Sequence, residues 1–450
     1  MAKLKMLKTL LIALSLLTCS AYAGEKRYVV TLPQGDATSV AARHGLKVVR
    51  TLRDGNVLVT APDYLAERDV LDELRHDPSI QDVESDPDAA LAESPASASA
   101  TQLFWPDLAV AIADRSVAPF FGTQVRNGYV SQPSASLIHL SDSYKAGTTG
   151  AGTVAIIDTG VDPLHPALRG VLVPGYDFVN GIPDVASDYA DLSPAVAAAL
   201  AQSTVAFLDK KDQPIVLNQS TVAFLDQSTV AFLDGGLPSD FGHGTMVAGL
   251  VHLVAPTANI MPLKAFKADG SAHLSDIVAA IYYAVDHGAK VINMSFSMAD
   301  PSAELEKAIQ YATAREVVCV ASAGNQGRKV KVYPAGFNRV LSVASTDLFD
   351  KRSAFSNFGE SNVATAAPGE ALITTFPGNN YAAVWGTSFS AALVSGTAAI
   401  MQQLQPGIGI KSVNAALEKG HHVSEDLGES RLDVAASANS LRVRPTAGLR

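Results

Sequence analysis

Short segments of apolar and β-branched residues alternate with longer amphipathic segments through the second half of the chain. The short segments, which we predict to be strands, are residues 153–157, 290–296, 317–322 and 339–345. The longer segments, predicted to be helices, are residues 275–287 and a stretch from Asp300-Pro301 to about 314. This order predicts an α/β fold with a mainly parallel sheet and helices on both faces. Active groups of such sheets collect at the carboxyl ends of the strands.

The residue pattern in the first part of the chain predicts a separate, small α+β domain. Strands are predicted at residues 28–32, 47–51, 56–60 and 80–84, and helices at 38–44 and 64–75. Their order is that of a split βαβ, or ferredoxin-like, sandwich. We therefore predict one domain at residues 24–91, a linker rich in Ala, Ser and Pro at 92–131, a second domain at 132–440 and a tail at 441–450.

Residues 1–23 have the features of a secretory signal peptide. Three lysines precede an apolar run at residues 10–17, and Ala21-Tyr22-Ala23 has the small-residue pattern of a cleavage site. The run is far shorter than the roughly 20 residues of a membrane-spanning helix. A lipoprotein signal that ends at Cys19 is the alternative. We expect export to the periplasm or the medium, and no internal disulfide, because Cys319 is then the single cysteine left.

One segment interrupts the alternation of strands and helices. The octapeptide Gln-Ser-Thr-Val-Ala-Phe-Leu-Asp occurs at residues 202–209, 219–226 and 227–234. Three irregular copies are too few for a solenoid, whose repeats must stack to bury a core. We interpret residues 185–237 as a surface insertion in the second domain, whose Val-Ala-Phe-Leu cores can pair as strands.

The charge of the chain argues against nucleic acid as its partner. The formal net charge is −10, and the three charges within residues 1–23 are all positive, so the remainder is more acidic still. The same balance argues against an anionic membrane as a partner of the processed chain. With 48% hydrophobic and 17% charged residues, the composition is that of a globular protein.

Four short motifs carry candidate chemistry. Gly386-Thr387-Ser388 precedes an apolar segment and either caps a helix or presents a serine hydroxyl near backbone N–H groups. His243 lies between two glycines at the start of a predicted helix of small residues. Asp158 lies where a predicted strand meets a turn, and a carboxylate there can fix the tautomer of an imidazole. Asn325 follows a glycine at another strand end, where its amide can donate to a developing oxyanion.

The chain resembles the subtilisin-like serine proteases in these four motifs and in their order, over roughly residues 132–438. The motifs are Asp158-Thr159-Gly160, His243-Gly244-Thr245, Ala323-Gly324-Asn325 and Gly386-Thr387-Ser388. The resemblance implies that Ser388 is the nucleophile, that His243 is the general base and then acid, and that Asp158 orients His243. It also implies an oxyanion hole formed by Asn325 and the backbone N–H of Ser388.

Two further parts of the chain resemble that family. Ser295-Phe296-Ser297 is similar to the segment that pairs with substrate as a strand, which implies main-chain recognition of peptides. Residues 24–91 resemble the family's inhibitory pro-domain. This implies a precursor whose own pro-domain is an intramolecular inhibitor, removed by cleavage between about Ala89 and Tyr129.

The chain departs from the family's usual pattern at three places. Ser388 is followed by Phe389-Ser390-Ala391-Ala392-Leu393 rather than Met-Ala-Ser-Pro-His. Ala167 replaces an aspartate that often binds calcium, and no calcium-binding loop follows His243. We therefore expect no cofactor and no metal at that site, and a calcium site elsewhere in the chain is the alternative. Val332 replaces a glycine that often forms the floor of the pocket for the residue before the scissile bond, which favours small or medium apolar residues.

These observations favour a secreted or periplasmic serine endopeptidase that acts on protein or peptide substrates as a monomer. A catalytically silent relative that acts as a binding module is the alternative. An esterase is a weaker one, because the segment at Ser388 is Gly-x-Ser-x-Ser and esterases of the α/β-hydrolase type have a different triad order. Asp-Thr-Gly also marks aspartic proteases, but the chain has no second copy for their two-carboxylate mechanism.

Overall fold

The structure, a computed structural model, describes residues 26–33, 37–53, 55–91, 111, 114–194, 197, 216–217, 222–224, 238 and 240–442. Two compact units divide the chain, Met1–Pro87 and Asp88–Arg450. The predicted signal peptide, with the alternative lipoprotein cysteine, lies outside the described residues, as does most of the predicted tail. Among the helices that the structure describes, none has the length and apolar character needed to cross a membrane.

The first unit is a four-stranded antiparallel sheet with two helices. Its elements are β1 (Lys26–Thr31), α1 (Ala37–Arg43), β2 (Lys47–Thr51), β3 (Asn56–Ala61), α2 (Glu67–Arg75) and β4 (Asp82–Ser85). The strand order is β2-β3-β1-β4. Alternate residues of β1 and β3 pack with apolar residues of both helices, among them Tyr28, Val59, Val40 and Leu74. This order of elements is the one that the sequence predicts.

The second unit is built around a ten-stranded sheet. Its strands are β8 (Thr153–Asp158), β9 (Tyr176–Asp177), β10 (Ile182–Pro183), β13 (Asn259–Lys264), β15 (Val291–Met294), β17 (Val318–Ser322), β18 (Leu341–Thr346), β19 (Thr365–Pro368), β22 (His421–His422) and β23 (Ser430–Arg431). The order is β10-β9-β13-β8-β15-β17-β18-β19-β23-β22. All neighbours pair in parallel except at the two edges, where β10 and β22 are antiparallel.

Three smaller sheets complete the strands of this unit. Their members are β5 (Asp88–Leu91) with β14 (Ser271–His273) and β16 (Phe296–Ser297); β6 (Val117–Phe120) with β7 (Thr123–Arg126); and β11 (Val216–Leu217), β12 (Val222–Phe224), β20 (Leu372–Phe376) and β21 (Asn380–Val384).

Helices cover both faces of the ten-stranded sheet. The helices described in this unit are α3 (Asn127–Val130), α4 (Pro133–Leu137), α5 (Leu140–Lys145), α6 (His243–Val254), α7 (Leu274–Asp286), α8 (Ala303–Thr313), α9 (Thr387–Leu404), α10 (Ile410–Leu417) and α11 (Val434–Ser440). In β8, Val154 and Ile156 pack with α6 and α9, whereas Ala155 and Ile157 pack with α7 and α8. A strand buried on both faces is apolar throughout, which is why the sequence patterns predict the α/β fold so directly.

The predicted linker at residues 92–131 is partly wrong. Its last part forms the β6–β7 hairpin and α3, and it packs on the core of the second unit. Tyr129 is fully buried, and its hydroxyl donates a 2.5 Å hydrogen bond to the carbonyl of Gly249. Elements this short show no periodicity, so composition alone suggested a loose connection.

The predicted start of the insertion, at residue 185, is too early in the sequence. A 3-10 turn at Asp188–Asp191 packs against the unit, and the Asp188 side chain is fully buried. Farther on, β12, within the second copy of the octapeptide, pairs with β21 and so extends a sheet by one strand. The first and third copies lie outside the described residues.

Candidate active site

Asp158 and His243 meet where β8 ends and α6 begins. Nδ1 of His243 lies 2.7 Å from Oδ1 of Asp158, and both side chains are buried. The backbone N–H of Thr159 also donates to Oδ1 of Asp158, at 2.8 Å. A hydrogen-bonded carboxylate fixes the position of the imidazole, with the proton on Nδ1.

The glycines on either side of His243 are required by close packing. Gly242 has φ +84°, a left-handed conformation that favours glycine, and a Cβ there would lie 2.7 Å from the ring of Pro377. A Cβ on Gly244 would lie 2.0 Å from the carbonyl oxygen of Gly160. Gly244 therefore lets the backbone after Asp158 approach the start of α6, and Gly242 lets Pro377 approach it from another segment.

Ser388 is the second residue of α9, the helix that the apolar segment after it predicts. Gly386 is the N-cap residue, with φ +150° and no side-chain cap, so Ser388 does not cap the helix. The Ser388 hydroxyl donates to the carbonyl of Ser295 at 3.3 Å, and the Ser295 hydroxyl donates to the carbonyl of Ser388 at 3.0 Å. The next residue, Phe389, has its ring centroid 5.5 Å from that of His243.

Asn325 follows β17 and is held against the first turn of α9. Its Oδ1 accepts hydrogen bonds from the backbone N–H and the hydroxyl of Thr387, at 3.0 and 2.8 Å. Because a backbone N–H can only donate, the amide oxygen must face Thr387, and the Nδ2 group is the end that can donate elsewhere. Nδ2 lies 3.5 Å from where a Cβ on Gly386 would stand.

The segment Ser295-Phe296-Ser297 has a strand of the same chain paired to it. In β16, Phe296 pairs with Leu91 and Ser297 with Ala90 of β5, antiparallel. On its other side, β5 pairs with β14, and the N–H of Leu91 donates to the carbonyl of Gly270 at 3.0 Å. The structure therefore places a strand from residues 88–91 in the middle of a three-stranded sheet beside Ser388.

Val332 lies near the same segment. Its neighbour Tyr333 forms a two-way backbone pair with Met298, with N···O distances of 2.7 and 2.9 Å. The Val332 side chain is buried and packs in the apolar cluster that contains Phe296 and Leu91. A γ carbon of Val332 lies 3.4 Å from where a Cβ on Gly324 would stand, so its side chain reaches the segment that precedes Asn325.

Comparison with known sequences identifies the family. The family model described as Peptidase_S8, subtilase family, matches residues 150–433. The chain belongs to the subtilase family. The match confirms the resemblance that the four motifs predict, and it begins just before β8 and ends at the start of α11.

Two known proteins are similar to this chain over about three fifths of its length. A thermophilic serine proteinase of Bacillus sp. (strain AK1) is 32% identical over 274 residues, which are 61% of this chain and 57% of the relative. Thermitase of Thermoactinomyces vulgaris is 31% identical over 280 residues, 60% of this chain and 81% of the relative.

A solved structure has the same fold. The crystal structure of fervidolysin from Fervidobacterium pennivorans, described as a keratinolytic enzyme related to subtilisin, aligns with a TM-score of 0.67 at 21% identity. The alignment covers 95% of this chain and 63% of fervidolysin. The chain thus spans less than two thirds of fervidolysin and of the Bacillus relative.

Sequence patterns did not indicate two buried charged residues, Asp188 and Lys264, that contact the residues next to the Asp158–His243 pair in this subtilase. Asp188 is fully buried, and burial raises the pKa of its carboxyl to about 6, although hydrogen bonds from Thr159 and Thr245 oppose the shift. Lys264 is also fully buried, and its Nζ donates to the carbonyl of Thr159, to Asp191 and to the carbonyl of Phe266, at 2.7, 2.7 and 2.8 Å. The sequence held one indication of these residues. Lys264 ends an apolar strand, and a charge buried there needs partners.

Proposed function

We propose that this subtilase is a secreted serine endopeptidase made as an inactive precursor. The observation that carries the proposal is the 2.7 Å hydrogen bond between Asp158 and His243, whose imidazole lies against the ring of Phe389, the residue after Ser388. In this mechanism His243 takes the proton of Ser388 as the hydroxyl attacks the peptide carbonyl, and then returns it to the leaving amine. Asp158 holds the imidazole and stabilises its charged form.

The oxyanion of the tetrahedral intermediate would be stabilised from two sides. Nδ2 of Asn325 is the donating end of an amide whose oxygen is fixed by Thr387. The backbone N–H of Ser388 lies at the amino end of α9, where the helix dipole favours a negative charge. Fixed donors of this kind typically contribute about 3–4 kcal/mol to the transition state.

A binding module without activity is the alternative from another class, and an esterase is a weaker one. The buried Asp158–His243 pair argues against the binding module, because burying these groups costs free energy that peptide binding alone does not require. The paired strand at β16 favours peptides over small esters, because it offers main-chain hydrogen bonds along an extended chain.

Replacing the nucleophile tests the catalytic assignment. We expect a fluorophosphonate probe to label the wild-type protein and not Ser388→Ala, because only an activated serine reacts. Casein hydrolysis should fall by a factor on the order of 10⁶. Ser361→Ala, at an exposed serine, is the matched control and should label as the wild type does. Equal labelling of both variants would contradict the assignment, and labelling without casein hydrolysis would favour an esterase.

We propose that the precursor is inhibited by its own amino-terminal part. Pro87, the last residue of the first unit, is followed directly by β5, which occupies the position beside β16 that a substrate strand needs. Leu91 pairs with Phe296 in an antiparallel register, so a strand that continued in this register would bring its next residue opposite Ser295. Ser295 is the residue whose carbonyl accepts a hydrogen bond from the Ser388 hydroxyl. The first peptide bond cut in maturation would then follow Ala92.

Intact mass and amino-terminal sequencing of the purified active form test this register. We expect the mature chain to begin at Glu93, and we expect Ser388→Ala to keep its amino-terminal unit in a host without other proteases. Cleavage of Ser388→Ala at the same bond would show that maturation is not autocatalytic. If the mature chain began at another residue, the register of β5 beside β16 would not give the position of the scissile bond.

Val332 is proposed to limit the residue before the scissile bond to small or medium apolar side chains. We expect peptides with Ala or Leu there to be cleaved faster than those with Phe or Tyr. Val332→Gly should raise kcat/KM for Phe relative to Ala by about 10-fold, because it removes apolar volume from the pocket. Val330→Gly, in the same stretch but exposed, should leave the ratio unchanged. Faster cleavage after Phe in the wild type would contradict the proposal.

We propose that the fold needs no calcium at the position where Ala167 stands. Within the described ranges, no group of three His, Cys, Asp or Glu residues could hold a metal ion. Dialysis against EGTA should therefore leave the Tm unchanged, since a ligand stabilises a fold only if the fold binds it. A clear fall in Tm that added calcium reverses would contradict this proposal.

A further inference from the structure

We propose that Asp188 is a positioning residue that sets the geometry of the Asp158–His243 pair. The inference rests on the proposed function. It concerns a residue in the segment that sequence patterns assign to a surface insertion, and it gives that residue a part in catalysis without contact to substrate.

The two carboxylate oxygens of Asp188 bind the two segments that carry the pair. Oδ1 accepts a 2.6 Å hydrogen bond from the hydroxyl of Thr159, the residue after Asp158. Oδ2 accepts hydrogen bonds from the hydroxyl of Thr245 and, at 3.2 Å, from its backbone N–H, two residues after His243. One rigid side chain thus bridges the end of β8 and the first turn of α6.

Thr159 strengthens this bridge. Its hydroxyl oxygen accepts a 3.0 Å hydrogen bond from the N–H of Gly244 while its proton goes to Asp188. Thr159, which follows Asp158, is therefore hydrogen-bonded to Gly244, which follows His243. A shift of the backbone at Asp158 relative to the backbone at His243 would therefore disturb these hydrogen bonds.

Asp188 is itself held in place. Its turn begins at Ser187, whose hydroxyl accepts from the N–H of Tyr189 at 3.2 Å. The preceding residue, Ala186, accepts from the N–H of Val161 at 2.8 Å. The turn lies so close to Gly160 that a Cβ there would stand 2.6 Å from the backbone of Ser187. The carboxylate therefore has little freedom to follow a displaced partner.

Kinetics of Asp188→Ala test the proposal. We expect kcat to fall about 100-fold with KM within about twofold, because a displacement near 1 Å in a catalytic group costs about this much. Thr397→Val is the matched control. It removes a buried hydroxyl hydrogen bond to Leu393 in α9, away from the bridge, and should leave kcat within about twofold.

A second pair of variants keeps the test valid if Asp188→Ala does not fold. Thr159→Val, which removes one arm of the bridge, should lower kcat about 10-fold, whereas Thr159→Ser, which keeps the hydroxyl, should restore it to within about threefold. In the double variant, the loss of kcat should be smaller than the product of the two single losses, because both substitutions remove the hydrogen bond between Thr159 and Asp188.

Proton NMR separates positioning from general destabilisation. The downfield resonance of the Nδ1 proton of His243 reports the hydrogen bond to Asp158, so it should shift in Asp188→Ala and Thr159→Val but not in Thr397→Val. A folded Asp188→Ala with wild-type kcat overturns the inference, as does equal loss of kcat in Thr159→Ser and Thr159→Val. If the wild type is not labelled by the fluorophosphonate probe, the proposed function fails instead.

Discussion

The contact between Gly160 and Gly244 is the constraint on which the site depends. The Asp158–His243 hydrogen bond joins residues 85 positions apart in sequence, and it forms only where the two backbones nearly touch. A side chain at Gly244 would meet the carbonyl of Gly160 at 2.0 Å, and one at Gly160 would meet the turn before Asp188 at 2.6 Å. Three segments of backbone thus pack together where no Cβ fits, and the polar side chains lie around that junction.

The rest of the fold keeps this junction rigid. β8 lies between β13 and β15 in the parallel sheet, so the strand that ends at Asp158 is fixed from both sides. All residues from Thr387 to Gln402 of α9 are buried, which is unusual for a helix and makes it a core element. A Cβ on Gly396 would lie 2.7 Å from the Cβ of Val254, so α9 and α6 approach closely. The helices that carry Ser388 and His243 are therefore packed against each other.

Sequence patterns predicted most of this framework, because the strands of a doubly covered sheet are apolar throughout and their helices have a clear period. The glycines on either side of His243 also indicated a close approach of backbone at that position. Sequence patterns could not predict what depends on distant pairing. Nothing in residues 88–91 indicates that they pair with β14 and β16, and nothing near Asp188 indicates Thr159 and Thr245 as its partners. Tyr129 was missed for the same reason, because its partner is Gly249 of α6.

The residue after the serine shows how the chain accommodates its departure from the usual family pattern. Phe389 is fully buried, and its ring lies against His243 with the two planes 46° apart. The same ring lies 3.4 Å from where a Cβ on Gly386 would stand, so it fills the space between the turn before the helix and the imidazole. An apolar ring in this position keeps water from one side of the imidazole, and electrostatic interactions strengthen where water is excluded. Because Gly386 already needs glycine for its φ of +150°, the turn can accept a bulky neighbour without a further change. The aromatic side chain is thus compatible with the geometry of the site, and it adds to the burial of the His243 ring rather than displacing it.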